Sequence, residues 1–218
     1  MRFTPRKTWE IGSTVVVVVA AIGMVTLYLV ERNLAWSPTG SAVEEVEDWW
    51  SWASIGTRLG PDSASMVIAA FMDFQCPFCR DLAPVLDSLR AEYGEYVTIE
   101  FHHFPLAGHR NALPAAVAAE CARRQGRFEE MYHLFFAQLD SVGIMGWGAF
   151  AEAAGVPDLP SFATCIQQPI REFSRITGGL ELGKSLGVSG VPTIWVNGRL
   201  LSDHGLKAFR KRAKQLGF

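Results

Sequence analysis

The sequence predicts an α/β domain with an inserted helical subdomain, preceded by one N-terminal transmembrane helix. Three observations carry this. A run of twenty residues at 11–30 holds no charge. Short apolar or alternating stretches at 66–71, 97–101 and 193–196 read as strands, the first two joined by a helical pattern. Between the second and third, about 107–187, apolar residues recur at helical spacing. The chain has 218 residues, 49% hydrophobic, with a net charge of −2. At roughly 100–200 residues per domain, that bounds one folded domain plus extras. The apolar content excludes a largely disordered chain. The near-neutral charge excludes a nucleic-acid binder, which needs a basic surface.

The run "IGSTVVVVVAAIGMVTLYLV" comes first. Twenty helical residues rise about 30 Å, the thickness of a bilayer's hydrocarbon core. Arg2, Arg6 and Lys7 precede it, and the acidic Glu44, Glu45, Glu47 and Asp48 follow at a distance. The positive-inside bias puts residues 1–10 in the cytoplasm and everything after 30 outside. A cleaved signal is the rival reading, with an apolar region of roughly 7–15 residues and a small-residue cleavage site. The run is longer than that, and no clear A-x-A follows, which favours a retained single-pass anchor. Residues 31–61 read as an extracytoplasmic tether. Trp49, Trp50 and Trp52 in it suit either a membrane interface or packing on the folded domain.

The domain proper is expected over 62–218. "MVIAAF" has no polar face and suits a strand buried on both sides. Leu82, Leu86, Leu89 and Tyr93 mark a helix that Gly94 ends, with Pro77 tolerated in its first turn. Val97, Ile99 and Phe101 alternate as a second strand. The helical block follows, with an interruption expected at Gly178 and Gly179. "TIWV", then Asn197–Gly198, then "RLL" reads as a hairpin, since Asn-Gly favours the tight turn. Asp203 is expected to start the last helix. Its stripe is Leu206, Phe209, Ala213 and Leu216, and its wet face carries Lys207, Arg210, Lys211, Arg212 and Lys214. His133 and His204 read as helical and ordinary.

The stretch "DFQCPFCRD" holds the chemistry. Cys76 and Cys79 lie where the first strand turns into a helix. A structural zinc site needs further ligands at tight spacing; His102, His103 and His109 form no clean pair, and Cys121 and Cys165 have no close partner. A purely structural disulfide across so short a loop removes little chain entropy. The redox reading has a mechanism. A cysteine at a helix N-terminus faces the positive end of the dipole, which stabilises its thiolate. A stabilised reduced form makes the disulfide a better oxidant. In "SGVPT", Pro192 stands directly before a strand. A cis bond at Val191–Pro192 would set backbone beside the cysteines, while a trans turn is the plain alternative. This chemistry calls for no cofactor and no metal.

With "DFQCPFC", "FHHFPL", the inserted helical block and "VSGVPTIWVNGR" in this order, the sequence resembles the DsbA-like branch of the thioredoxin superfamily over about 65–218. The resemblance implies a thioredoxin fold and a thiol–disulfide oxidoreductase. It implies Cys76 as the attacking cysteine, Cys79 as the resolving one and Pro192 as the cis-proline. Val191, Pro77 and Phe78 would line the substrate groove. Exported proteins with cysteine thiols would be the substrates, and a quinone-linked membrane thiol oxidase the redox partner. There are two departures. Relatives often carry a buried acid six residues before the first cysteine; here that residue is Ala70, and strand parity puts Asp73 on the other face. The strongest oxidants of the family have histidine where Phe78 stands.

Four cysteines allow three pairings. With Cys76 and Cys79 paired, Cys121 and Cys165 remain, both in the helical block. Outside the cytoplasm they are expected to form a structural disulfide; buried free cysteines are the alternative. Any of His102, His103 and His109 could tune Cys76 if the fold brought it near.

Overall fold

A computed structural model describes residues 42–218. The expected transmembrane segment, 11–30, lies outside them. Among the described residues no helix is long and apolar enough to cross a membrane. Besides short 3₁₀ turns, the elements are β1 (Thr57–Leu59), β2 (Met66–Met72), α1 (Pro77–Tyr93), β3 (Val97–His103), α2 (Ala112–Arg123), α3 (Phe128–Ala137), α4 (Trp147–Ala153), α5 (Leu159–Cys165), α6 (Ser174–Ser185), β4 (Thr193–Val196), β5 (Arg199–Leu201) and α7 (Leu206–Gln215).

The five strands form one sheet in the order β1-β3-β2-β4-β5. β2 runs parallel to β3 and antiparallel to β4, while β1 and β5 add antiparallel at the two edges. Every residue of β2 is buried, as an apolar run without a polar face requires. Ile68, Ala70 and Met72 share a cluster with Leu82, Leu86 and Leu89 of α1 and Phe209 of α7. Ala69 and Phe71 belong to a second cluster with Trp52, Phe104, Leu186 and Trp195. Full burial of side chains of this size contributes roughly 1.5–3 kcal/mol each. The Asn197–Gly198 turn has positive φ at both residues, 47° and 74°, as the tight hairpin demands. The Asn197 side chain also accepts from the Val67 N–H and donates to the Ser65 carbonyl, which ties the hairpin to β2.

Three expectations are corrected. The stretch read as a tether is part of the fold over its described residues. β1 pairs with β3, and the Val46 and Leu200 N–H groups bond across to Gly198 and Glu44 at the β5 edge. Trp52 is buried edge-on against Trp195, whose indole N–H donates to the Val43 carbonyl at 2.9 Å. Trp50 stays exposed. Second, Gly178 and Gly179 do not interrupt α6. A Cβ on Gly179 would lie 2.6 Å from the His103 carbonyl oxygen. The glycine is there because the helix backbone lies directly on the end of β3. Third, the last helix starts at Leu206, with Gly205 as its N-cap residue. Asp203 instead accepts from the Gly205 N–H in the preceding turn, and His204 lies outside the helix.

Cys121 and Cys165 form a disulfide between α2 and α5, 44 residues apart in sequence. Beside it on α2, the buried Glu120 ties three elements together. His103 of β3 lies 3.1 Å from its carboxylate, Arg123 donates at 2.7 Å, and the Thr57 hydroxyl of β1 donates at 3.3 Å. Burial opposes ionisation of Glu120, but His103 and Arg123 outweigh it and hold its pKa at about 2.

Replacing Cys121 and Cys165 together by serine is expected to lower unfolding stability by about 2–4 kcal/mol, since a long loop is released. Denaturant unfolding measures it. A carboxyl held below its unfolded value of 4.5 stabilises the fold above that pH. The contribution, roughly 3 kcal/mol, is lost as pH falls from about 4.5 towards 2. Glu120→Gln should start less stable at neutral pH and flatten that acid limb of the stability profile.

Candidate active site at the start of α1

β2 ends at Met72, and the chain turns over four residues before α1 begins at Pro77. The turn closes with the Cys76 N–H donating to the Asp73 carbonyl at 3.1 Å. Cys76 is the N-cap residue of α1, in extended conformation, with Pro77 following where a missing N–H leaves no bond unmade. One helical turn later Cys79 points back into the core, fully buried. Both are free thiols.

Their environments drive the two apart. The Cys79 thiol donates to the Cys76 sulfur, and this bond is the largest cause of a lowered Cys76 pKa. Desolvation opposes it, while the N–H groups of Cys79 and Phe78 help. The result is a pKa of about 6 in place of 9.0. That difference corresponds to roughly 4 kcal/mol in favour of the thiolate. For Cys79 the direction reverses. Burial pushes its pKa far up, and the proton it lends to Cys76 raises it further. One sulfur is ready to attack at neutral pH, and the other keeps its proton.

The segment before β4 meets this pair from the far side. The Val191–Pro192 bond is cis, and the Cys76 sulfur lies 3.4 Å from the Val191 carbonyl, to which its thiol donates. Phe78, Asp81, Leu82, Val85, Pro192 and His204 line an open, mostly apolar groove of about 350 Å³. Phe78 stands 70% exposed at its lip. The fold thus brings together Cys76, Cys79, Pro77, Phe78, Val191 and Pro192. His204 and Asp81 join them without any signal in the sequence, because only the docking of α7 beside α1 places His204 there.

The three histidines of the β3 region scatter. His102 is buried and stacks on Phe71 at 4.7 Å, and burial lowers its pKa. His103 faces the other way, to Glu120. His103 also packs edge-on against Phe74 of the cysteine turn, at 5.9 Å, and His109 hydrogen-bonds to it, its Nδ1 lying 2.7 Å from Asp73 Oδ2. Asp73 follows directly on the last residue of β2. Its carboxylate is buried and accepts from the N–H groups of Gln75 and Leu106. The Gln75 amide oxygen in turn accepts from the Asn111 N–H. Ala70, where relatives carry an acid, is fully buried among apolar neighbours. Among the described residues no cluster of His, Cys, Asp and Glu is arranged to hold a metal ion.

Raising pH through about 6 should therefore bring in thiolate absorbance near 240 nm in the reduced protein. The step should vanish in Cys76→Ser and survive in Cys121→Ser/Cys165→Ser.

A family model described as thioredoxin matches residues 54–214. Among solved structures, oxidised BdbD from Bacillus subtilis superposes with a TM-score of 0.67 at 15% identity, covering 81% of this chain and 97% of that one. The thiol-disulfide exchange protein alpha-DsbA2 from Wolbachia pipientis gives 0.62 at 21% identity, covering 74% and 87%. MdbA, a thiol-disulfide oxidoreductase from Corynebacterium diphtheriae, gives 0.60 at 18%, covering 80% and 96%. Such identities speak for the fold. A curated relative, Na(+)/H(+) antiporter NhaA 1 of Mycolicibacterium gilvum, is 30% identical over 199 residues, which is 83% of this chain and 31% of that protein. The chain thus spans about a third of that relative's length. With the family model matched across the cysteine turn, the inserted helices and the cis-proline hairpin, and with structural neighbours that are DsbA-type thiol–disulfide oxidoreductases, this chain belongs to the thioredoxin family.

Proposed function

We propose that the chain is an extracytoplasmic dithiol–disulfide oxidoreductase that introduces disulfides into exported proteins through Cys76 and Cys79. The observation that carries this is the division between the two sulfurs: Cys76 ionises at about 6 while Cys79 is buried and held protonated. A substrate thiolate attacks Cys76 of the oxidised pair, and Cys79 leaves with the electron pair of the broken S–S bond. A second substrate thiolate then attacks the substrate sulfur of the mixed disulfide. It releases oxidised product and the Cys76 thiolate, which is a good leaving group because its pKa is low. Two electrons have moved from substrate to enzyme. The backbone at Val191 and the groove edged by Phe78 supply the contacts for an extended, apolar substrate segment.

The Cys121–Cys165 disulfide supports an oxidising compartment. Residues 11–30 would hold the domain to the outer face of the membrane, with the N-terminus cytoplasmic. A quinone-linked membrane thiol oxidase would reoxidise the dithiol, and the anchor would raise its effective concentration. The antiporter activity in the name of the longer curated relatives is not carried over. A reductase or isomerase role runs the same chemistry in reverse. A binding module without catalysis is the reading of another class, and the free Cys76–Cys79 pair at a helix start argues against it.

Equilibration of the full chain with glutathione buffers tests the direction. A reduction potential well above thioredoxin's, about −270 mV, supports disulfide donation. A potential near that value means a reductase. Cys76→Ala should abolish oxidative refolding of a reduced test protein; retained activity would sink the redox reading.

A further inference from the structure

Two grooves meet at one corner of the domain. The first is the groove beside the cysteines, which Pro192 and His204 edge. The second, of about 400 Å³, lies between β5 and α7. Residues 201–203 wall the second groove and His204 walls the first, so the two adjoin along one short segment. That segment is held as a turn. His204 Nε2 lies 2.9 Å from the Leu201 carbonyl, and the Asp203 carboxylate accepts from the Gly205 N–H at 2.8 Å.

The grooves differ in charge. Besides His204, Asp81 alone among the residues lining the first is ionisable, and Arg80 lies 3.4 Å from it. The second is lined by Arg199, Lys207, Lys211 and Arg212 against one carboxylate, Asp203. Arg199 is engaged by Glu45 at 2.7 Å. On the face beside the groove, Arg210 is engaged by Glu92. Among the described residues Lys207, Lys211 and Arg212 make no ion pair. Both lysines are exposed. Arg212 also holds a buried Nε–H without a hydrogen-bond partner, a donor that an incoming acceptor would satisfy. Three cations thus stand unpaired next to the place where a substrate chain has to lie.

We propose that the β5–α7 groove is a second substrate subsite, which selects proteins carrying Asp or Glu near the cysteine to be oxidised. The apolar stretch around that cysteine lies in the first groove. Carboxylates further along the same chain reach Lys207, Lys211 and Arg212. The occupant is a polypeptide rather than a bilayer, because the groove is concave and continues the one that leads to Cys76. Opposite charge at such a mouth speeds encounter and suppresses wrong partners. The subsite acts on capture and leaves the exchange itself unchanged: the substrate dithiol becomes a disulfide, and the Cys76–Cys79 disulfide becomes a dithiol.

Selection of acidic substrates rests on the redox reading, and one experiment separates the two. The oxidised full chain is mixed with reduced peptides that carry two cysteines in an apolar stretch. A run of three Glu, three Gln or three Lys is placed before or after it at varied spacing. Loss of peptide thiols gives the second-order rate. At the best spacing the Glu peptide should react about 5-fold faster than the Gln peptide, the size that two exposed ion pairs supply, and the Lys peptide slower than both. In Lys207→Gln/Lys211→Gln the Glu and Gln peptides should react alike. Dithiothreitol, which needs only the cysteines, should be oxidised by that variant at the parent rate. Sodium chloride at 1 M, where the screening length is about 3 Å, should erase the preference in the parent. Equal rates for Glu and Gln peptides at every spacing overturn the subsite, as does a preference that survives the double variant. Acetylation of Lys207 and Lys211 that phosphatidylglycerol vesicles slow and the Glu peptide does not would assign the groove to a lipid surface and overturn it too. A parent chain that oxidises neither the peptides nor dithiothreitol overturns the redox reading, and the subsite with it.

Discussion

Strand β2 is buried on both of its faces, and the layers of this protein follow from that constraint. An all-apolar strand has to be covered twice. α1 and α7 cover one face, and the Trp52–Trp195 cluster with Phe104, Leu186 and Val188 covers the other. The chain must then leave the sheet where β2 stops, at Met72, and the only residues left to turn it are those that run into α1. The cysteines occupy this enforced corner. Their chemistry draws on it twice: the helix start lends N–H groups to Cys76, and the packed core beneath withholds water from Cys79.

The same corner explains why two identical side chains three residues apart behave so differently. Helical geometry turns Cys79 fully inward, while Cys76, as the N-cap residue and itself only 3% exposed, lies beside the Val191 carbonyl. Each then acts on the other. The proton that burial keeps on Cys79 is the one that stabilises the Cys76 thiolate. A change that opened the core around Cys79 would thus weaken the nucleophile without touching it.

What the sequence made legible is what rests on neighbours in the chain. "MVIAAF" announced a buried strand, Pro77 and the cysteines announced a helix start, and Asn197–Gly198 announced its turn. Each depends on a few adjacent residues. What stayed hidden depends on distant ones. β1 is three residues long, too short for any periodicity, and exists because β3 needs an edge partner. Gly178 and Gly179 look like helix breakers until Ile55 is laid against the first and the end of β3 against the second. The Asp73–His109 contact joins residues 36 apart. Trp49 and Trp52 could not be told from membrane-interface tryptophans, since both readings need the same amphipathic ring.

The disulfide between α2 and α5 gives the molecule a peculiar ancestry. Its helical block is stapled by a bond between Cys121 and Cys165 across 44 residues. A protein proposed to hand disulfides to others is therefore first a recipient of one. A newly made copy takes an oxidising equivalent from an older copy or from another donor to form that bond. Where the donor is an older copy, each finished molecule helps to finish the next.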